Sequence, residues 1–447
     1  MSEWKKVKIG EIFKIEKGSL QSSKCIPGKY DFITAASEWK THESYSHECE
    51  AIVYAVAASG SLGRAHYVNG KFIASDLCFI LTEKDKEKYP INFQFYQLIF
   101  ELIREEIVSK TKTGTSKESI NQKNFSNYEI PYFSFDYQMA NYEKLVNTKQ
   151  KISELLEESE KQKSYAKQLR QNILQEAIEG KLTEEWRKEN PVVKGNPDFD
   201  AEALFEKIQE EKCHTDSELP LGTSLRIRNS KKKVFEPIAE NEQPFEMPEG
   251  WKWVRLGEIV ENITSGSREW ARYYSDTGAI FLRMGNLSRE SYVLRLDNIQ
   301  HVRVPESSEG KRTRLLPFDL LFSITAEIGN LGLIPKDFPE AYINQHTARI
   351  RFAQLVKQSL YFANALLAPG IRNLYLPNAH GIKNSFRLDT LSFIPIPLPP
   401  LAEQKEIVSR VEKLLENVVE LEKQITEREE MTKQLMQSIM KDAFREG

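Results

Sequence analysis

Trp4-Lys5-Lys6-Val7-Lys8-Ile9-Gly10-Glu11-Ile12 returns as Trp251-Lys252-Trp253-Val254-Arg255-Leu256-Gly257-Glu258-Ile259, an offset of 247. Near the other end, Gln171-Asn172-Ile173-Leu174-Gln175-Glu176-Ala177-Ile178 returns as Gln437-Ser438-Ile439-Met440-Lys441-Asp442-Ala443-Phe444, an offset of 266. Between these anchors Ile130-Pro131 matches Ile396-Pro397 and Gly63 matches Gly329, both again at 266. The 19-residue difference therefore lies early in the second copy, before about Pro317. Solenoid repeats run about 20–50 residues, so this longer period is a duplicated domain with its following helix. It implies a molecule with internal pseudo-twofold symmetry.

Working outward from the anchors, residues 1–135 and 246–398 are expected to be two similar globular heads of α+β type. Short β-type runs such as Ala51–Val56, Leu77–Leu81 and Leu320–Ile324 are punctuated by glycine-containing turns. A helix is expected from Phe93 to Val108, where Phe95, Leu98, Ile99, Leu102 and Ile103 share one face. Each head closes on an extended proline segment, Ile130-Pro131 or Ile394–Pro400. Proline is excluded from helix interiors, so a helix starts after each.

Those helices occupy 136–182 and 399–447. In the second, Ile407, Val411, Leu414, Val418, Leu421 and Ile425 advance by alternating steps of four and three. Arg428 interrupts this heptad seam, and Met431, Leu435 and Ile439 resume it. In the first, Leu145, Ile152, Leu155, Ala166, Leu169, Ile173 and Ala177 make the corresponding seam, with Ser159 and Gln162 as its polar centre. At 1.5 Å per residue, roughly 40 residues span about 60 Å. An apolar stripe of that length needs cover, and a twofold relation makes the two helices pair antiparallel. A coiled coil that only dimerises the protein is the blander alternative. Residues 183–245 read as a connector with breaks at Asn190-Pro191 and Asn196-Pro197, one short helix around Ala203–Ile208, and a solvated Lys231–Lys233 run.

Composition excludes more than it assigns. The 62 basic and 65 acidic residues nearly cancel, while residues 245–400 carry 18 basic against 15 acidic, a mildly basic second head. Four cysteines without CxxC spacing suit a reducing cytosol. His42, His47 and Cys49 lack a fourth ligand at finger-like spacing. With neither a signal peptide nor a window approaching 18 apolar residues, a cytoplasmic protein without membrane contact is expected. There is no P-loop, no Asn-Pro-Pro-Tyr methyltransferase signature and no GxSxG. Pro197-Asp198 with Glu210-Glu211-Lys212 loosely fits a nuclease string, but it falls in the connector rather than on paired strands. The chain reads as a non-enzymatic binding protein.

The stretch Leu169–Arg187 (LRQNILQEAIEGKLTEEWR) closely resembles the central region of specificity subunits of type I restriction–modification systems. The repeated Trp-x-x-Val-x-[Ile/Leu]-Gly-Glu-Ile openings and the Ile394–Gln404 lead-in to the second helix fit the same family, over essentially the whole chain. The first copy departs at its lead-in, with Phe133-Ser134-Phe135-Asp136-Tyr137-Gln138 where the second has Pro399-Pro400-Leu401-Ala402-Glu403-Gln404. The resemblance implies two target-recognition domains, each reading half of a bipartite site in double-stranded DNA. It makes the antiparallel helices a ruler for the unread spacer. It further implies two modification (methyltransferase) subunits bringing S-adenosylmethionine, restriction subunits bringing ATP and Mg, and no cofactor on this chain. A rod of about 60 Å corresponds to roughly 18 base pairs. The rival reading is a coiled-coil scaffold whose heads bind protein.

Base readout needs Arg, Lys, Asn, Gln or hydroxyl side chains on loops. Polar glycine-containing loops recur at equivalent places in the two copies. The first head offers Lys17, Ser19 and Lys24; Ser59, Ser61 and Arg64; and Lys112, Thr113, Thr115 and Lys117. The second offers Ser267 and Arg268; Asn330; and Asn378, His380 and Lys383, with Asn344 and Gln345 following a strand. Arg268, Arg283 and Arg312 read equally as DNA contacts or as salt-bridged surface residues.

Overall fold

The computed structural model describes residues 4–58, 60–114, 118–218, 235–304, 313–376 and 386–443. The chain divides into two compact units, Met1–Gln162 with Ile425–Gly447, and Lys163–Gln424. Each unit thus holds one head and a portion of both long helices.

In the first unit the opening strand Trp4–Lys8 pairs antiparallel with Glu129–Phe133. A six-stranded sheet follows, in the order Phe13–Lys17, Cys78–Glu83, His47–Ala55, Ala65–Ala74, Tyr30–Ile33, Lys40–His42. The run 51–55 is apolar without a break because both faces of this central strand are covered. Ala51, Val53 and Ala55 point into a small cluster with Val68, Phe72 and Cys78. Ile52 and Tyr54 point the other way, into a larger cluster with Phe79, Leu81, Tyr96 and Phe100, as the two-residue period of a strand demands. Truncating fully buried Phe100 to alanine would cost about 3–5 kcal/mol. The expected single helix over 93–108 is two helices, Phe93–Leu102 and Arg104–Thr111. The apolar stripe ends at Leu102, and Arg104 turns its guanidinium to the carbonyls of Leu62 and Gly60 (2.7 and 3.2 Å).

The second unit repeats the opening. Lys252–Arg255 pairs antiparallel with Pro395–Leu398, a two-stranded ladder in which proline's missing N–H is tolerated at an edge. Its head has two four-stranded sheets rather than one of six. Ala279–Leu282 and Gln300–Val302 stand where Tyr30–Ile33 and Lys40–His42 stand in the first head, with the same parallel and antiparallel neighbours, and the strand matching Ala65–Ala74 is split into Leu331–Leu333 and Ala341–Ile343. The connector is not loose where it is described. Its helix runs 18 residues, Ala201–Glu218, with Ala201, Leu204 and Ile208 buried. Gln209 and Lys212 donate to the carbonyls of Gly257 and Glu258 at the base of the head (2.9–3.0 Å). Glu211 accepts from the amides of Gln354 and Leu355, so the nuclease-like string is structural.

The long helices are Phe135–Ile178 and Leu401–Ala443. Both begin with the same device. Buried Gln138 donates to Phe133 O (2.9 Å) and buried Gln404 to Pro399 O (2.8 Å), each five residues back. Within the second unit the helices run antiparallel. In the second unit Arg170 pairs with Glu422 (3.0 Å) while Arg410 reaches back to Leu182 O (2.6 Å). In the first unit Arg428 donates to Gln162.

The seam is narrower than the heptads suggest. Ile152 and Ser159, with Ile425 and Thr432, are buried in the first unit; Ala166 and Ile173, with Val411 and Val418, in the second. On each helix these positions are spaced by seven. Along the middle the alternate positions stand half out, Leu155 at 49% exposed, Leu169 44%, Leu421 41% and Leu435 50%, whereas the expected seam residues Ile407 and Ala177, nearer the helix ends, are fully buried. Leu414 is half-buried. Small and β-branched side chains leave one position per heptad facing inward, and the leucines flank it. Leu145 packs on the first head's core instead, and the side chain of Ile439 lies outside the described residues. The polar pair is self-satisfied, Ser159 donating to Leu155 O (2.9 Å) and Thr432 to Arg428 O (2.8 Å). No helix among the described residues is long and apolar enough to cross a membrane.

Candidate nucleic-acid interface

In the first head three distant loops and one turn are joined by backbone hydrogen bonds. Gly18 N donates to Cys78 O (2.9 Å) and Ser19 N to Ala74 O (3.1 Å), tying the loop after the first sheet strand to the turn Ser75-Asp76-Leu77-Cys78. Val56 N donates to Leu77 O (2.9 Å), adding the loop through Gly63. Ile120 N donates to Val56 O (2.8 Å), adding the short hairpin of Lys112–Thr113 with Ser119–Ile120.

The second head has the same wiring. Gly266 N donates to Thr347 O (3.3 Å), Ile324 N to His346 O (3.0 Å) and Phe386 N to Ile324 O (2.8 Å). Isolated parallel bridges repeat as well, Leu20 with Ser75 and Ser267 with Asn344. The glycines are required by close approach, since a Cβ on Gly18 would drive into the Ser75 carbonyl and one on Gly266 into that of Ile343. Gly63 and Gly329 both take positive φ (78° and 85°), which suits glycine.

The described parts of the loops expected from the sequence are therefore brought together in each head, while Thr115–Lys117 and Asn378–Lys383 lie outside the described residues. The first head's turn Ser75–Cys78 is a member that the sequence reading missed. It is the counterpart of Asn344–Thr347, and only its different side chains hid it. Cys78 itself faces the core, and burial pushes its thiol up to about 12.

Side chains divide into those presented and those used for bracing. Lys17, Ser19, Lys24, Thr113 and Arg268 are exposed. Arg283 is half-buried with no side-chain partner among the described residues. Lys112 is exposed but paired with Glu118 (2.7 Å). Arg64 is spent on Ala35 O (2.9 Å) and on Ser61 (3.2 Å), holding its own loop. Asn330, expected as a reader, is 4% exposed, and its amide donates to Glu327 (2.9 Å), so it stabilises its loop from within. The Ser267 hydroxyl is likewise buried. Asn344 caps its turn by accepting from His346 N (3.1 Å), and Gln345 stands half-exposed beside it. Ser59, Thr115, Lys117, Arg312, Asn378, His380 and Lys383 lie outside the described residues.

The first unit has a cleft of about 570 Å³ bordered by Trp39, Arg64, His66, Glu101, Arg104 and Lys149. Its cations are committed, Arg64 and Arg104 to loop carbonyls and Lys149 to Glu101. Among the described residues no group of His, Cys, Asp and Glu could hold a metal ion. What the two heads share is a surface of donors and acceptors held on rigid loops.

The family model described as type I restriction modification DNA specificity domain matches residues 1–174 and again 248–430, one match for each head with the helix that follows it. The chain belongs to that family. Among curated relatives, the type I restriction enzyme EcoAI specificity subunit of Escherichia coli is 27% identical over 289 residues, covering 62% of this chain. The match spans 44% of that relative's length, less than half. The EcoDI specificity subunit of Escherichia coli is 24% identical over 458 residues, covering 99% of this chain and 88% of the relative. A solved chain from work on complex assembly and conformational transition of the type I R-M system aligns over 99% of this chain and 97% of its own. Its TM-score is 0.61 at 17% identity, so the two share a fold.

Proposed function

We propose that this chain is the DNA-reading subunit of a type I restriction–modification complex and itself catalyses nothing. Each head reads one half of a bipartite site through its four wired loops, and the helical pair that runs on from each head fixes the unread spacer. Two modification subunits bring S-adenosylmethionine for adenine methylation. Restriction subunits bring ATP and Mg for translocation and cleavage, and this chain carries no cofactor of its own.

One observation carries this reading: the loop wiring is the same in both heads while the side chains mounted on it differ. An enzyme duplicated for catalysis would keep its reacting groups in both copies. A reader of two unlike half-sites keeps the frame and varies the side chains, because base edges are told apart by their donor and acceptor patterns. The exposed cations on the first loop of each head suit phosphate contacts, which position a protein without specifying sequence.

The test is methylome sequencing of a host that expresses this chain with its modification partner. A single new bipartite adenine-methylated motif is expected. An assembled complex that adds no such motif overturns the proposal, and binding insensitive to salt would do the same, because phosphate contacts release counterions.

A further inference from the structure

The tip of the Asn344–Thr347 turn holds a polar chain whose protons can be assigned from connectivity. The amide nitrogen of Gln345 lies 2.9 Å from His346 Nε2. An amide nitrogen can only donate, so Nε2 must accept, and the neutral ring's proton sits on Nδ1. Nδ1 lies 3.0 Å from Thr325 Oγ1 and donates to it. Thr325 is left to send its own proton to Met284 Sδ (3.4 Å). Asn344 Oδ1 fixes the backbone of the same turn through His346 N. With the Gln345 amide in this orientation every member has one role, and the Thr325 hydroxyl keeps its contact to Met284.

The consequence lies in what Gln345 has left over. One amide N–H is used on His346, and among the described residues the carbonyl oxygen and the second N–H have no partner, on a half-exposed side chain. In the major groove an adjacent acceptor and donor match the N6–H and N7 of adenine. Guanine offers two acceptors there, cytosine a lone donor, and thymine an acceptor with a methyl. We infer that Gln345 is the adenine-reading residue of the second head, with His346 and Thr325 as positioning residues that hold its amide in the reading orientation. This rests on the DNA-reading function proposed above.

The experiment is selection from a randomised duplex pool by the full chain assembled with its modification subunits, repeated with Gln345→Ala and Gln345→Glu. Wild-type protein should select two half-sites. Gln345→Ala should loosen one A·T pair in one half-site by about ten- to a hundredfold and leave the other half-site intact. Gln345→Glu, which only accepts, should move the preference at that pair toward cytosine.

A second measurement needs no variant. Replacing adenines of the selected duplex one at a time by 7-deazaadenine removes N7, and one adenine in one half-site should be sensitive. Gln345→Ala should be insensitive to that same replacement. His346→Leu should lose selectivity and deaza sensitivity at that pair alone. A motif unchanged by Gln345→Ala, loosening at a G·C pair, or loosening in both half-sites overturns the inference. Failure of the wild-type complex to select any bipartite sequence overturns the reading beneath it instead.

Discussion

The turn that gives its carbonyls to two neighbouring loops carries Ser75, Asp76 and an exposed Leu77 in the first head; in the second it carries Asn344, Gln345 and His346. The first set ends in a carboxylate and an apolar side chain, the second in an amide locked to an imidazole. Yet Val56 N meets Leu77 O as Ile324 N meets His346 O, at 2.9 and 3.0 Å. Backbone hydrogen bonds hold the loops in place whatever side chains the turn mounts, so the side chains are free to differ. A contrast of another kind appears at the base of the heads. Lys8 in the first copy is exposed, whereas its equivalent Arg255 is buried under Glu242 from the connector. The second head has taken the connector into its own structure, so the copies differ in scaffolding at the base and in chemistry at the tip.

The sharpest break in the comparison is at the start of the long helices. Glu403, 2% exposed, accepts from Trp251 Nε1 (2.7 Å), Thr183 Oγ1 (2.7 Å) and Arg187 (2.5 Å). Tyr137 holds the same place in the first copy and stacks on Phe133 at 4.8 Å. Removing one partner of a buried ion pair strands the other charge. Glu403→Ala is therefore expected to lower stability by about 3–5 kcal/mol, and Tyr137→Phe by about 1 kcal/mol or less. Chemical denaturation of the two variants decides it. Equal losses would mean that the carboxylate hub contributes no more than the single Tyr137 hydroxyl.

Next in size is the glycine contact that both heads share. Gly18→Ala and Gly266→Ala each force a Cβ onto a backbone carbonyl, at a cost on the order of 2–3 kcal/mol. Each should abolish reading of one half-site and spare the other, which motif sequencing of the two variants will reveal. Loss of both half-sites from either change would show that the heads do not read independently.

The duplication was legible because its anchors are packing residues whose identity is constrained: the Trp/Val/Gly-Glu-Ile opening buries Ile9 and Ile12 in one copy and Leu256 and Ile259 in the other. The loop positions were legible from their glycines. Their assembly was not, because Gly18 N to Cys78 O is a bond between backbones 60 residues apart and leaves no trace in side-chain type. Asn330 and Arg64 looked like readers for the same reason, since polarity on a loop does not reveal whether the group faces water or braces the loop. The helical seam was half legible. Heptad spacing marks two apolar positions per repeat, and only the size of Ser159, Ala166 and Val418 decides which one the partner helix covers.

The chemical difference between the turns is sharpened by exchanging it in part. Asp76 offers only acceptors, which suits the N4 amine of cytosine; asparagine at that place offers acceptor and donor together, as adenine requires. Asp76→Asn should shift preference at one base pair of the first half-site about tenfold toward adenine, read by the same duplex selection. A motif that does not move would remove the Ser75–Cys78 turn from the reading surface.

The smallest expected effect tests the difference at the base of the heads. The hydrogen bond from Arg255 holds the Glu242 carboxyl below its ordinary 4.5. A depressed carboxyl contributes stability that is fully present above that ordinary value and fades as pH falls through the lowered one. The gap in stability between wild type and Glu242→Gln should therefore be open at pH 6 and close on acidification below about 4.5. Because Glu242 is partly exposed, solvent keeps the gap small. At the first head's counterpart, Lys8→Gln should change stability by no more than about 0.5 kcal/mol. If the Glu242 gap does not depend on pH, the pairing with Arg255 does not hold the connector to the second head, and the connector helix does so through its apolar face and the hydrogen bonds of Gln209, Glu211 and Lys212.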